Sequence, residues 1–150
     1  MIDGGPRGAI VTMAASTEQV RGTMTERQDI EGLIKELHAA RLRGDLAGMC
    51  RVFADDGEFC ILGASSGQPI EITKTGLRQF RPWLAMLVKT FRLSGYSLLS
   101  LIVDPPRAAA HWRVQIHSKI TGQAVTTELV DLIEVRSGQI VRYGEFFVPR

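Results

Sequence analysis

The stretch TELVDLIEVRSGQIVRYGEFF, residues 127–147, holds two runs rich in Val, Ile, Leu, Tyr and Phe on either side of Ser137-Gly138. Two such runs around a short glycine turn are the signal of a β-hairpin. A turn centred there pairs Arg136 with Gln139 and Val135 with Ile140, and a regular ladder continued outward sets Glu145 opposite Val130. Strand side chains alternate, so one face then carries Glu128, Val130, Leu132 and Glu134 with Val141, Tyr143, Glu145 and Phe147. The other carries Leu129, Asp131, Ile133, Arg142, Gly144 and Phe146. Both faces are largely apolar, so the hairpin is expected to be covered on both sides. Glu134, beside the turn, is expected in solvent, which leaves Glu128, Glu145 and Asp131 in need of a reason.

With 150 residues and 45% hydrophobic content, the chain has material for one domain with a sizeable core. Its net charge of +2 is spread along the sequence, so neither a nucleic-acid partner nor a charged tail is expected. Cys50 and Cys60 lack metal-ligand spacing and read as small buried hydrophobes of a reduced, cytoplasmic protein. His38, His111 and His117 form no HxH or HxxxH pair, which leaves a structural zinc without ligands. There is no P-loop or dinucleotide fingerprint, so no cofactor is expected. No apolar run approaches the ~18 residues of a membrane span.

Residues 1–23 are rich in Gly, Ala, Ser and Thr without a clear period and are expected to be a flexible arm, with Met24 as a candidate start for a domain over 24–150. From Thr25 onward Ile30, Leu33, Ile34, Leu37 and Ala40 recur at helical spacing until Gly44-Asp45. A second helix is predicted in LAGMCRVFA, then a strand in EFCIL, a Gly/Ser/Pro loop, and a third helix over 75–90. FRLSGYSLLSLIV, AAAHWRVQIHSK and the two hairpin arms complete a four-stranded antiparallel meander. Helices followed by antiparallel strands describe an α+β domain, a curved sheet with helices on its concave side and a pocket between.

RGDLAGMCRVFADDGEF (43–59), HWRVQI (111–116) and ELVDLIEVRSGQIVRYGEFF (128–147) together resemble the SnoaL-like polyketide cyclases and ketosteroid isomerase relatives of the nuclear transport factor 2 superfamily, over roughly residues 28–148. The resemblance implies a cone-shaped sheet with three helices on its concave face and pairing into a homodimer through the convex face. It implies a small apolar or cyclic ligand and cofactor-independent isomerase, dehydratase or cyclase chemistry, or else a non-enzymatic ligand-binding or interaction module. The isomerases' oxyanion acid falls at Glu128, but their tyrosine falls at Leu37 and their base near Ile61. In limonene-type epoxide hydrolases the water-activating aspartate of the last strand matches Glu145, while the arginine and second aspartate fall at about Trp112 and Val114.

Burial beside apolar neighbours raises a carboxylate's proton affinity toward working pH, so Glu128 and Glu145, as diagonal neighbours in the regular register, are the candidate acid-base pair. His38, at the edge of the first helix's apolar face, is a third candidate. Trp112, Val114, Ile116, Val130, Phe147 and Tyr143 are expected to line the pocket, with Trp83 closing it from the third helix. His111 and His117 alternate to the convex side. Asp131 is expected on that side too, in an interface row with Leu129, Ile133 and Phe146.

Overall fold

The computed structural model describes the backbone of residues 8–65 and 67–148 and the side chains of 26–64 and 67–147. The expected arm over 1–23 lies outside the described side chains. The elements are α1 (Gly8–Arg43), α2 (Leu46–Arg51), β1 (Phe53–Ser65), β2 (Gln68–Thr75), α3 (Leu77–Thr90), β3 (Phe91–Asp104), β4 (Arg107–Ser118), β5 (Ala124–Arg136) and β6 (Gln139–Val148). They form an α+β fold: one curved, unclosed sheet in the order β2-β1-β6-β5-β4-β3, with the three helices against its concave face.

α1 buries Ile30, Ile34, Leu37 and Ala40 along one stripe, as the sequence period requires. Gly44, at φ 67°, takes the left-handed conformation that ends the helix, and Asp45 accepts the Gly48 amide to start α2. α2 stops at Arg51, earlier than predicted, because Val52, Phe53 and Ala54 are needed in the core. The supposed Gly/Ser/Pro loop contains β2, an edge strand pairing antiparallel with β1. Its residues are half-buried at best, so it carries a weak alternation, and Pro69 is tolerated because an edge strand leaves amides unpaired. β1 also pairs parallel with β6, which brings the last strand to the middle of the sheet.

The decisive departure from the expected register lies in the hairpin. Arg136 pairs with Gln139 and Val135 with Ile140, but Glu134 then pairs with Arg142, so Val141 has no partner across the ladder. One extra residue on one strand is a β-bulge, and a one-residue slip sends every later side chain to the opposite face. Glu145 therefore sits opposite Asp131 and not Val130. Leu129, Asp131 and Ile133 are buried inside together with Tyr143 and Glu145. Glu128 and Val130, expected inside, lie on the outer face, where Glu128 meets Arg113 at 2.8 Å and His111 at 2.9 Å. The interface row proposed from Leu129 and Ile133 is thereby removed, since both belong to the interior.

The turn itself has positive φ at both central residues, 52° at Ser137 and 74° at Gly138, matching the twist of a tight hairpin. Ser137→Asn, better suited to this region, is expected to raise stability slightly in denaturant titration. Gly138→Ala is expected to lower it by about 1–2 kcal/mol, the cost of forcing a Cβ into the left-handed conformation.

Candidate active site

The bulge places two carboxylates on neighbouring strands in directly opposite positions, Asp131 at 0% and Glu145 at 5% exposure. Charges buried to that degree require partners. α1 supplies them from His38 and Arg41, three residues apart and so on one side of the helix. Arg41 donates from Nη1 and Nη2 to both oxygens of Glu145, and from Nη1 to the Tyr143 hydroxyl at 3.1 Å. Tyr143 in turn donates to Glu145 Oε2 at 2.9 Å. The Arg41 guanidinium also lies over the Trp112 ring, 5.0 Å from its centroid.

The second carboxylate is held separately. Asp131 Oδ2 accepts from Trp112 Nε1 at 3.0 Å and lies 2.8 Å from His38 Nε2. His38 Nδ1 lies 2.8 Å from the Tyr96 hydroxyl on β3. Burial works against the charge on Arg41, but Glu145, Tyr143 and Asp131 outweigh it and hold the guanidinium above its ordinary range. Burial, and then the charges of Asp131 and Glu145, push the Tyr143 phenol well above the ordinary tyrosine value, so it stays a donor. Tyr96 is raised for the same first reason, with Asp131 second.

Arg41, Tyr143 and Glu145 form the polar end of an otherwise hydrocarbon cavity walled by Leu37, Met49, Phe53, Phe59, Ile61, Leu84 and Leu87. Its free volume is about 10 Å³, room for a single water molecule. Leu37 and Ile61, at the positions of the isomerases' tyrosine and base, are thus part of the apolar wall.

Of the residues singled out in the sequence, Glu145 and Tyr143 line this cavity, and His38 and Trp112 join the buried polar cluster beside it through Asp131. Val114, fully buried, and the half-buried Ile116 and Phe147 pack around Trp112 in an adjacent apolar cluster. Glu128 and Val130 are on the far side of the sheet for the reason given by the bulge. Trp83 is half-buried beside Lys74, whose Nζ is 5.7 Å from its ring centroid, and α3 reaches the cavity with Leu84 and Leu87 instead. Sequence reasoning missed Asp131, Arg41 and Tyr96. The spacing of His38 and Arg41 is a usable signal for the second, whereas Asp131 was hidden by the register. Among the described residues no group of three His, Cys, Asp or Glu is placed to hold a metal, and no helix is long and apolar enough to cross a membrane.

The sequence profile of the SnoaL-like domain matches residues 34–143. No curated protein matches the chain. Among solved structures, a candidate isomerase from Bacillus subtilis superposes with a TM-score of 0.71 at 20% identity, covering 81% of this chain and 88% of that one. A candidate polyketide cyclase from Xanthomonas campestris pv. campestris gives 0.64 at 22% identity over 81% and 91%. An LEH-like epoxide hydrolase from M. tuberculosis gives 0.65 at 13% identity over 81% and 84%. At these identities the likenesses carry the fold alone.

Because removing one partner strands the other, Arg41→Met is expected to cost about 3–5 kcal/mol in chemical denaturation. Adding Glu145→Leu is expected to restore much of that loss, and a strictly additive double variant would show that the two side chains are not coupled.

Proposed function

We propose that this chain, which belongs to the SnoaL-like domain family, binds a compact apolar or cyclic molecule against Glu145 and moves a proton on it without a cofactor, in an isomerisation, dehydration or ring closure. The observation that carries the reading is a buried glutamate, joined to a phenol and a guanidinium, at the end of a hydrocarbon cavity. Ionisable groups concentrated in such a place are more common at sites of chemistry than in ordinary cores. In this reading Glu145 takes the proton, and Tyr143, kept protonated by burial, donates to the oxygen where negative charge develops. Arg41 steadies the carboxylate form of Glu145 before it takes the proton and again once it has given the proton back. The steroid isomerases' own route is not supported, since Leu37 and Ile61 bring no acid or base to the wall. Water activation by Glu145, as in epoxide hydrolases, is less supported for the same kind of reason: Trp112 and Val114 stand where the helper groups would be.

One observation favours a second reading, a non-enzymatic interaction module whose core fills itself. The cavity has room for about one water, and both oxygens of Glu145 are already engaged. Under the first reading α3, with Leu84 and Leu87, moves outward to admit the ligand. Either reading includes a homodimer through the convex face, supported by the cross-strand row Ile102, Ala109, Leu132 and Gly144, in which Ile102 is 66% and Leu132 49% exposed. Sedimentation equilibrium is expected to give a dimer at micromolar concentration, and a monomer there removes that element.

Compact cyclic ketones, lactones and epoxides are expected to raise the melting temperature of the wild type and to lose that effect with Glu145→Gln, with product formed only by the wild type. No stabilising compound in the library, together with strong destabilisation by Glu145→Gln, would favour the self-filled module.

A further inference from the structure

Next to the Glu145 cavity runs a second line of hydrogen bonds whose members do not line that cavity. It begins at Asp131, passes through His38 and ends at the Tyr96 hydroxyl, with 2.8 Å at each step. Packing fixes its geometry: the His38 ring lies 4.6 Å from Trp112 and 5.5 Å from Tyr96, centroid to centroid. Asp131, bonded also by Trp112, selects the imidazole tautomer with its proton on Nε2. The Nδ1 lone pair then faces the Tyr96 hydroxyl, which donates to it.

Two features exceed what a structural network needs. Asp131 Oδ1 is buried without a hydrogen-bond partner, a cost that an apolar residue at this position would avoid. The line also ends at the hydroxyl of Tyr96, a half-buried residue, and not at a backbone group. Tyr96 belongs to an apolar cluster in which it, Leu42, Leu93, Ile116 and Phe147 are half-buried and packed on Trp112, Val114 and Leu129. This arrangement sets one hydroxyl, backed by a buried imidazole and carboxylate, in a half-buried apolar cluster of the same cone.

We infer that Tyr96 is a second proton-exchanging contact, acting on the α-carbon of a compact carbonyl compound, with His38 and Asp131 as its positioning residues. The inference rests on the reading that the cone holds a small molecule, and it extends the chemistry beyond Glu145. As the ligand C–H bond breaks, its proton goes to Tyr96 Oη, and the proton already on Oη goes to His38 Nδ1. The ligand becomes an enolate, His38 an imidazolium, and the Asp131 carboxylate offsets that new charge. Reversal returns a proton to carbon, at the original or a conjugated position, so no oxidant or reductant is involved. Burial and the Asp131 charge hold the Tyr96 phenol above its ordinary value, so it passes a proton on and is not a standing tyrosinate.

The test uses the full chain, with cyclohexanone and 2-cyclohexen-1-one as probes, and follows loss of their exchangeable C–H signals in deuterated buffer by NMR. The wild type is expected to accelerate exchange over buffer. Tyr96→Phe, which keeps the ring and its packing, is expected to slow it at least about tenfold, and His38→Gln likewise. A spectroscopic arm checks the positioning role. The chain has 2 tyrosines, so in a Tyr143→Phe background the alkaline absorbance change at 295 nm reports Tyr96 alone. Adding Asp131→Asn is expected to move that midpoint down, and an unmoved midpoint overturns the relay. Exchange lost with Glu145→Gln but kept with Tyr96→Phe overturns the inference and leaves the Glu145 reading standing. The reverse pattern supports the inference and removes Glu145 as the base, while no exchange by the wild type overturns Tyr96 as a catalytic contact.

Discussion

A single unpaired residue, Val141, decides which way the acids of the last two strands point. Without the bulge Glu145 would share its face with Glu128 and Val130, and Asp131 would look away from the helices. With it, Asp131 and Glu145 are opposite one another and both turned inward. Two carboxylates side by side in an apolar interior repel each other and lose their hydration, a combination that destabilises a fold unless cations and donors arrive with them. The positions of Arg41, His38, Trp112 and Tyr143 can each be read as an answer to that demand. The register of one hairpin therefore also constrains where α1 must lie on the sheet.

That cluster is an expensive way to fill a core. A domain of this kind is stable by about 5–15 kcal/mol in total, and replacing a buried ion pair with well-packed apolar side chains is often neutral or stabilising. The cavity wall shows that the chain has apolar residues to spare, with Leu37, Phe59, Ile61 and Leu84 all in reach of Glu145's surroundings. Polar groups concentrated at one end of such a wall are the feature on which the proposed acid-base role of Glu145 rests. The division into two hydrogen-bonded sets, one around Glu145 and one around Asp131, gives two places where a proton can be held.

Much of this was legible in the sequence, and the failures have identifiable causes. Helical spacing from Ile30 to Ala40 located the packed C-terminal part of α1 and its buried face, because that period is local and carries through to packing, while the start of α1 at Gly8 was not read from it. The Ser137-Gly138 turn located the hairpin, and alternation along β6 alone correctly put Tyr143 and Glu145 on one face. Carrying that face across to β5 failed, since a bulge leaves no mark in composition: Val141 looks like any other strand residue. Glu128 and Asp131 exchanged places as a result. β2 escaped because Gly, Ser and Pro around it signal a loop more strongly than an edge strand's weak alternation signals pairing. Tyr96 could not be placed by any local pattern, since its partner His38 lies 58 residues away in sequence and meets it only in the folded sheet.

The central claim is that the bulge turns Asp131 and Glu145 inward as a directly opposed pair, and NMR of the labelled protein tests it most directly. Cross-strand backbone NOEs should connect Glu145 with Asp131 and Tyr143 with Ile133, with Val141 lacking any cross-strand partner. NOEs connecting Glu145 with Val130 and Tyr143 with Leu132 would mean a regular ladder, and would contradict the account of the site at its root.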